Sequence, residues 1–144
     1  MYLLDTTHCL SLIWGLIDEE LSSLGKASIS TCVISYGELI FGAYKSERVR
    51  DNLRAVLDFW KDIIVHRIDD DTAVVYGKLK NEVLERFGPR DRLKRRGFKI
   101  ESLGFKDNDL WIASVAIQRD LILVSADSDA MRLSGIEGLK VENW

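Results

Sequence analysis

The chain has 144 residues, 47% hydrophobic and 30% charged, the proportions of an ordinary folded domain with enough length to bury a core. A net charge of −3 excludes broad, nonspecific coating of nucleic acid but leaves room for a local basic surface. No run reaches the ~18 apolar residues of a membrane helix, the N-terminus lacks the basic flank of a signal peptide, and two cysteines without CxxC spacing beside two histidines do not suit a zinc site.

These features predict a reduced, cytoplasmic protein in which Cys9 and Cys32 are packing residues. Tyr2–Leu4 predicts a short strand that ends at the polar turn Asp5-Thr6-Thr7. Apolar spacing predicts a helix over Leu10–Leu24, with Asp18, Glu19 and Glu20 facing water and Gly25 ending it. Lys26–Ser30 predicts a second strand. Ser30 or Thr31 is then placed to cap a helix over Cys32–Lys45. On that helix Ile34, Gly37, Glu38 and Phe41 share a face, so an acid interrupts an apolar stripe. Ser46–Lys61 reads as an amphipathic helix with Val49, Leu53, Val56, Leu57 and Trp60 on one side, and Ile63–Ile68 as a strand.

The acidic run Asp69-Asp70-Asp71-Thr72 opens a helix that continues to Phe87 and stops at Gly88-Pro89. This is the one proline in the chain. With so little linker-like punctuation, residues 1–144 are expected to form a single domain. Arg90–Lys99 is basic, and Leu103-Gly104 leads into a helix over Lys106–Ala116. There Asp109, Ile112, Ala113 and Ala116 line one face, so Asp109 repeats the oddity of Glu38. Leu121–Ser125 is a continuous apolar run, typical of a strand buried on both faces. Met131–Ile136 predicts a short turn or helix and Leu139–Glu142 a last strand. Strands alternating with helices predict a three-layer α/β/α sandwich with a central, mostly parallel sheet.

In such a sheet, sites lie beyond the carboxyl ends of the strands. Asp5 and Asp127 each follow a strand, while Glu38 and Asp109 sit on core-facing stripes. A carboxylate there is costly unless a cation or hydrogen-bond donor meets it. Several carboxylates on one edge repel and retain protons. A hard divalent cation removes the conflict and suits phosphodiester hydrolysis. Each acid also has an ordinary reading. Asp5 fits a turn or cap, Glu38 a partner of some basic side chain, Asp109 a buried cap or salt bridge, and Asp127 or Asp129 a cap before Met131.

Five segments carry a resemblance: MYLLDTTH at the start, SYGELIFGA over Ser35–Ala43, NDLWIASVAI over Asn108–Ile117, LVSADSDAM over Leu123–Met131, and the terminal LKVENW. In them the chain resembles the PIN-domain nucleases, and especially the VapC-type toxins of toxin–antitoxin pairs. The segments fall in the family's order and span the whole chain. The resemblance implies a first acid at Asp5, a second, in the E-L-x-x-G pattern, at Glu38, a third at Asp109 and a fourth at Asp127. The last segment departs from the family's T-x-D/N-x-D-F, with Ser125 for Thr and Ala130 for Phe, which keeps Asp129 open as a substitute or helper.

By the same resemblance the chain is expected to be a Mg²⁺- or Mn²⁺-dependent endoribonuclease acting on RNA, homodimeric and inhibited by a cognate antitoxin. Two other readings stay open: a catalytically silent PIN-like partner of a DNA-binding antitoxin, and a nuclease directed at DNA. The run Arg92, Lys94, Arg95, Arg96, Lys99 reads equally as a contact to RNA phosphates or as a solvated loop. His8 and His66 read as packing or surface residues. Trp14, Trp60, Trp111 and Trp144 fit core or dimer interface, with base stacking as the alternative. The Leu53–Trp60 face packs internally or holds an antitoxin helix.

Overall fold

Three consecutive residues of the N-terminus, Tyr2–Leu4, form β1 at the middle of a parallel sheet. The computed structural model describes residues 1–17 and 28–144. Among these the other strands are β2 (Ile29–Cys32), β3 (Ile64–His66), β4 (Ile122–Val124) and β5 (Lys140–Glu142), in the order β3-β2-β1-β4-β5. Every pair is parallel; β1 registers Tyr2 with Ile29 on one side and with Ile122 on the other.

Because side chains alternate across a strand, neighbours in β1 feed opposite cores. Leu3 and Leu123 pack with α4 (Asp70–Phe87), α6 (Asp107–Gln118) and α7 (Ser128–Leu133), through Leu79, Val83, Leu110 and Leu133. Leu4, Ile29 and Val124 pack with α1 (Thr6–Ile13), α2 (Val33–Lys45) and α3 (Val49–Asp62), through Cys9, Leu39 and Val56. Helices therefore cover both faces, which is the expected α/β/α sandwich. A single helical turn, α5 (Arg92–Arg95), and a 3-10 turn, Ile100–Leu103, connect α4 to α6.

Several boundaries differ from the sequence expectation. Asp5-Thr6-Thr7 is no free turn. The Asp5 carboxylate accepts the His8 N–H at 2.7 Å and caps α1, which therefore starts at Thr6. The helix ends at Ile13, before Gly15 at φ +67°, so the expected helix from Leu10 does not continue through the described residues 14–17. The acids Asp18, Glu19 and Glu20, the Gly25 terminus and the start of the second strand at Lys26 lie outside the described residues. Ser30 and Thr31 do not cap α2, because both belong to β2. Their hydroxyls donate to the Tyr2 and Leu4 carbonyls of β1, at 2.8 and 3.2 Å. Cys32 takes the cap position without a side-chain bond.

Two stripes also differ. Phe41 is 64% exposed, so the side of α2 that faces the core runs through Ser35, Leu39 and Ala43 rather than through Phe41. The helix α6 buries the expected Ile112, Ala113 and Ala116, and also Leu110, Ser114 and Val115, so its buried surface is wider than one stripe, with Trp111 partly exposed. Both cysteines are buried and free, and burial pushes the Cys9 thiol up to about 12, as packing residues require. No helix among the described residues is long and apolar enough to cross a membrane.

The start of α4 is a capping box. Asp69 accepts the Thr72 N–H at 2.8 Å and the Thr72 hydroxyl at 2.7 Å, and Thr72 is fully buried. Thr72→Ala is expected to cost about 1–2 kcal/mol, the usual loss for a buried capping hydroxyl. A urea titration with an unchanged midpoint would contradict this.

Candidate active site

Beyond β1 the chain moves through β2 to β3 on one side, while β4 joins the other side. The crevice between β1 and β4 is thus the point where the strand order reverses, and ligands favour that place in parallel sheets. Asp5 leaves the end of β1 there, and Asp127 follows β4 by three residues. With Glu38 from α2 and Asp109 from α6 they line one cleft of about 260 Å³, together with Thr6, Lys106 and Ser125. All four sequence-predicted acids are therefore brought together.

Each is held differently. Asp5 is half-buried. Burial raises its pKa, but hydrogen bonds from the His8 ring and from Ser125, and the His8 N–H, outweigh this and hold it below the usual carboxylate range. His8 Nδ1 lies 2.9 Å from Asp5 Oδ1, and His8 is only 3% exposed. The bond to Asp5 raises the imidazole's pKa against the opposing effect of burial. Expected as a packing or surface residue, His8 is buried and orients Asp5.

Glu38 receives the Thr6 hydroxyl on one oxygen and the Asn108 side-chain amide on the other, the latter at 2.8 Å. The basic partner that an ordinary reading of Glu38 would require is absent among the described residues. Neutral donors fix the carboxylate and leave its charge uncompensated.

Asp109 differs from the rest. Burial first, and then the charges of Glu38 and Asp127, push its carboxyl up to about 6 against the pull of Lys106. Its pKa therefore reflects burial first and the neighbouring acids second. Asp127 caps α7 by accepting the Asp129 N–H at 2.9 Å, so its ordinary reading as a cap holds while it also lines the cleft. Asp129 does not line it. Its carboxylate is paired with Arg132 at 2.7 Å.

Sequence reasoning missed Thr6, His8, Lys106, Asn108 and Ser125. The Asp5–His8 spacing of three residues at a helix start was the available sign. The Glu38 donors lie 32 and 70 residues away from it in sequence, and no local pattern connects them. Among the tryptophans, Trp60 stacks on Tyr36, Trp111 on Tyr76, and Trp144 meets Tyr2 edge-on, so these three are engaged within the chain.

Four carboxyl groups lining one cleft, one of them with its pKa raised to about 6, are oxygen donors of the kind that suit a hard divalent cation. Among the described residues no three His, Cys, Asp or Glu side chains stand close enough to ligate one ion as placed.

The family model described as PIN domain matches residues 2–136. Ribonuclease VapC2 of Haemophilus influenzae (strain Rd) is 29% identical over 145 residues, covering 99% of this chain and 97% of that protein. The solved structure of VapBC2 from Rickettsia felis, bound to a DNA fragment from their promoter, superposes with a TM-score of 0.75 at 27% identity. That match covers 99% of this chain and 98% of the other. VapBC-5 from Mycobacterium tuberculosis, a member of the VapBC family of toxin–antitoxin systems, gives 0.69 at 27% identity, over 99% and 97% of the two chains.

Proposed function

Because the chain belongs to the PIN-domain family, we propose that it is a metal-dependent endoribonuclease, the toxin of a toxin–antitoxin pair. The observation that carries this reading is the cleft lined by Asp5, Glu38, Asp109 and Asp127, in which burial and the charges of Glu38 and Asp127 raise Asp109 to about 6. A half-buried carboxylate beside other acids, as Asp109 is, costs stability unless a cation enters the cleft. The relative named a ribonuclease supports RNA as the substrate, and the VapBC neighbours support an antitoxin partner. No observation favours a catalytically silent binding protein.

Asp5, Glu38, Asp109 and Asp127 would hold Mg²⁺ or Mn²⁺. When bound, the cation would lower the pKa of a coordinated water and stabilise charge on the phosphoryl oxygens. The chain's own groups prepare that site. His8 and Ser125 keep Asp5 ionised and oriented. Thr6 and Asn108 fix both oxygens of Glu38, so little reorganisation remains to be done on loading. Lys106, lining the same cleft, is placed to meet a phosphate oxygen. We further propose that residues 1–144 act as one unit, in the cytoplasm, as a homodimer.

The purified chain is expected to cut single-stranded RNA internally with Mg²⁺ or Mn²⁺ and to stop in EDTA. Gel analysis of end-labelled RNA and of DNA of the same sequence reads both points. Cleavage that persists in EDTA overturns the metal-dependent mechanism, and cutting of the DNA alone reassigns the substrate.

A further inference from the structure

Building on the ribonuclease reading, we propose that the segment joining α4 to α6 is an arm that holds the RNA phosphate backbone and leads it to the cleft. Residues 88–106 carry seven Lys and Arg against two Asp and Glu, in a chain whose net charge is −3. One of the two acids, Asp91, is occupied in accepting the Leu93 N–H at 2.8 Å, where it caps α5.

The basic side chains divide into two kinds. Arg95 is structural, donating to the Pro89 and Arg90 carbonyls at 3.1 and 2.9 Å and folding the arm onto itself. Arg92, Lys94, Arg96 and Lys99 are exposed, and their side chains make no ion pair or hydrogen bond among the described residues. Elsewhere several surface cations have local acids, such as Arg48 with Asp51, Lys61 with Asp58 and Arg86 with Glu82. Four like charges gathered within eight residues repel one another unless a polyanion meets them.

The arm is also fastened at the right place. Phe87, where it begins, and Phe105, where it ends, bring their rings to 5.5 Å. The Arg132 guanidinium covers both rings, and its Nη1 donates to the Leu103 carbonyl at 2.9 Å. Ile100 and Phe105 are buried at 2% and 1% exposure. The residue after Phe105 is Lys106, which lines the acidic cleft. A cleft of four carboxylates repels phosphodiesters, so attraction must come from beside it. Phosphate contacts of this kind position a strand without reading its bases.

The test uses the full chain in EDTA with a fluorescein-labelled oligouridylate, read by anisotropy, so that binding is separated from cutting. Arg92→Gln/Lys94→Gln/Arg96→Gln/Lys99→Gln is expected to weaken binding at least about tenfold at about 0.1 M salt. The slope of log Kd against log salt should fall by about 0.7 for each phosphate that the arm no longer neutralises. Arg92→Lys with Arg96→Lys should retain wild-type binding, since charge alone is required.

Wild-type affinity and slope in the folded quadruple variant, checked by circular dichroism, overturn the arm. So does equally effective competition by polyglutamate, which would assign the patch to an acidic protein partner. If the arm variant binds normally while the wild type cuts RNA, the arm fails and the ribonuclease reading stands. If binding depends on the arm but no RNA is cut under any metal, the ribonuclease reading fails instead.

Discussion

Asp109→Asn is expected to move activity and stability in opposite directions. Loss of a carboxylate from the proposed metal site removes several kcal/mol of transition-state stabilisation, so RNA cleavage should fall at least about a hundredfold. In metal-free protein the same change relieves a penalty. Burial, Glu38 and Asp127 raise the Asp109 carboxyl from 3.8 to about 6. The folded state therefore binds this proton more tightly than the unfolded state does. Below about pH 4 both states are protonated and Asp109 contributes nothing. As pH rises to about 6 the unfolded chain releases the proton first, and stability declines; above that the full penalty applies. At 1.36 kcal/mol per pKa unit, discounted for solvent access to the half-buried group, Asp109→Asn should stabilise the apo protein by about 1–2 kcal/mol near pH 8. Urea titrations in EDTA near pH 8 and pH 4 read the difference. Equal midpoints near pH 8 would mean that burial, Glu38 and Asp127 do not penalise the ionised Asp109.

Phe105→Ala should give the largest loss of stability, about 3–5 kcal/mol, the usual cost of emptying an aromatic core site. Phe105 is 1% exposed, packs against Phe87 and lies beneath the Arg132 guanidinium, at 4.3 Å. Truncation leaves a cavity under the 3-10 turn and removes a cation–π interaction worth about 0.5–1 kcal/mol. Because Lys106 follows directly, the change should also loosen one wall of the cleft and raise KM for RNA. Phe41→Ala is the control. Phe41 is 64% exposed, and its loss should stay within about 0.5 kcal/mol. Chemical denaturation of both variants settles the comparison, and similar losses would show that Phe105 is not a core residue in solution.

What could be read from the residues alone followed from local chemistry. Asp5 and Asp127 end apolar runs, and Asp109 opens a helix, so their positions at one sheet edge came from the strand–helix alternation. Glu38 stands out on an apolar stripe that the fold does not honour, since Phe41 is exposed; its place in the cleft came instead from the resemblance. The boundary of α1 escapes sequence reasoning because Asp5 serves at once as strand end, cleft wall and N-cap, and a strand of three residues gives little periodicity to separate these roles. The resemblance put the fourth acid at Asp127, but local pattern alone could not set Asp129 aside. Two acids spaced two apart look alike until Arg132 takes one of them. Thr6, Asn108 and Ser125 acquire their meaning only from neighbours that folding supplies.

The position of β1 has a consequence for synthesis. Tyr2 pairs with Ile29 and with Ile122, so the second strand made inside the described sheet can dock early, while the other flank of β1 waits until Ile122 has been made. Pairings of such sequence separation are closed late and slowly. Asp5 is made long before Asp109 and Asp127. A nascent chain thus carries its first acid without the cleft around it. The cleft of a nuclease built in this order is complete only once β4 and Asp127 have followed.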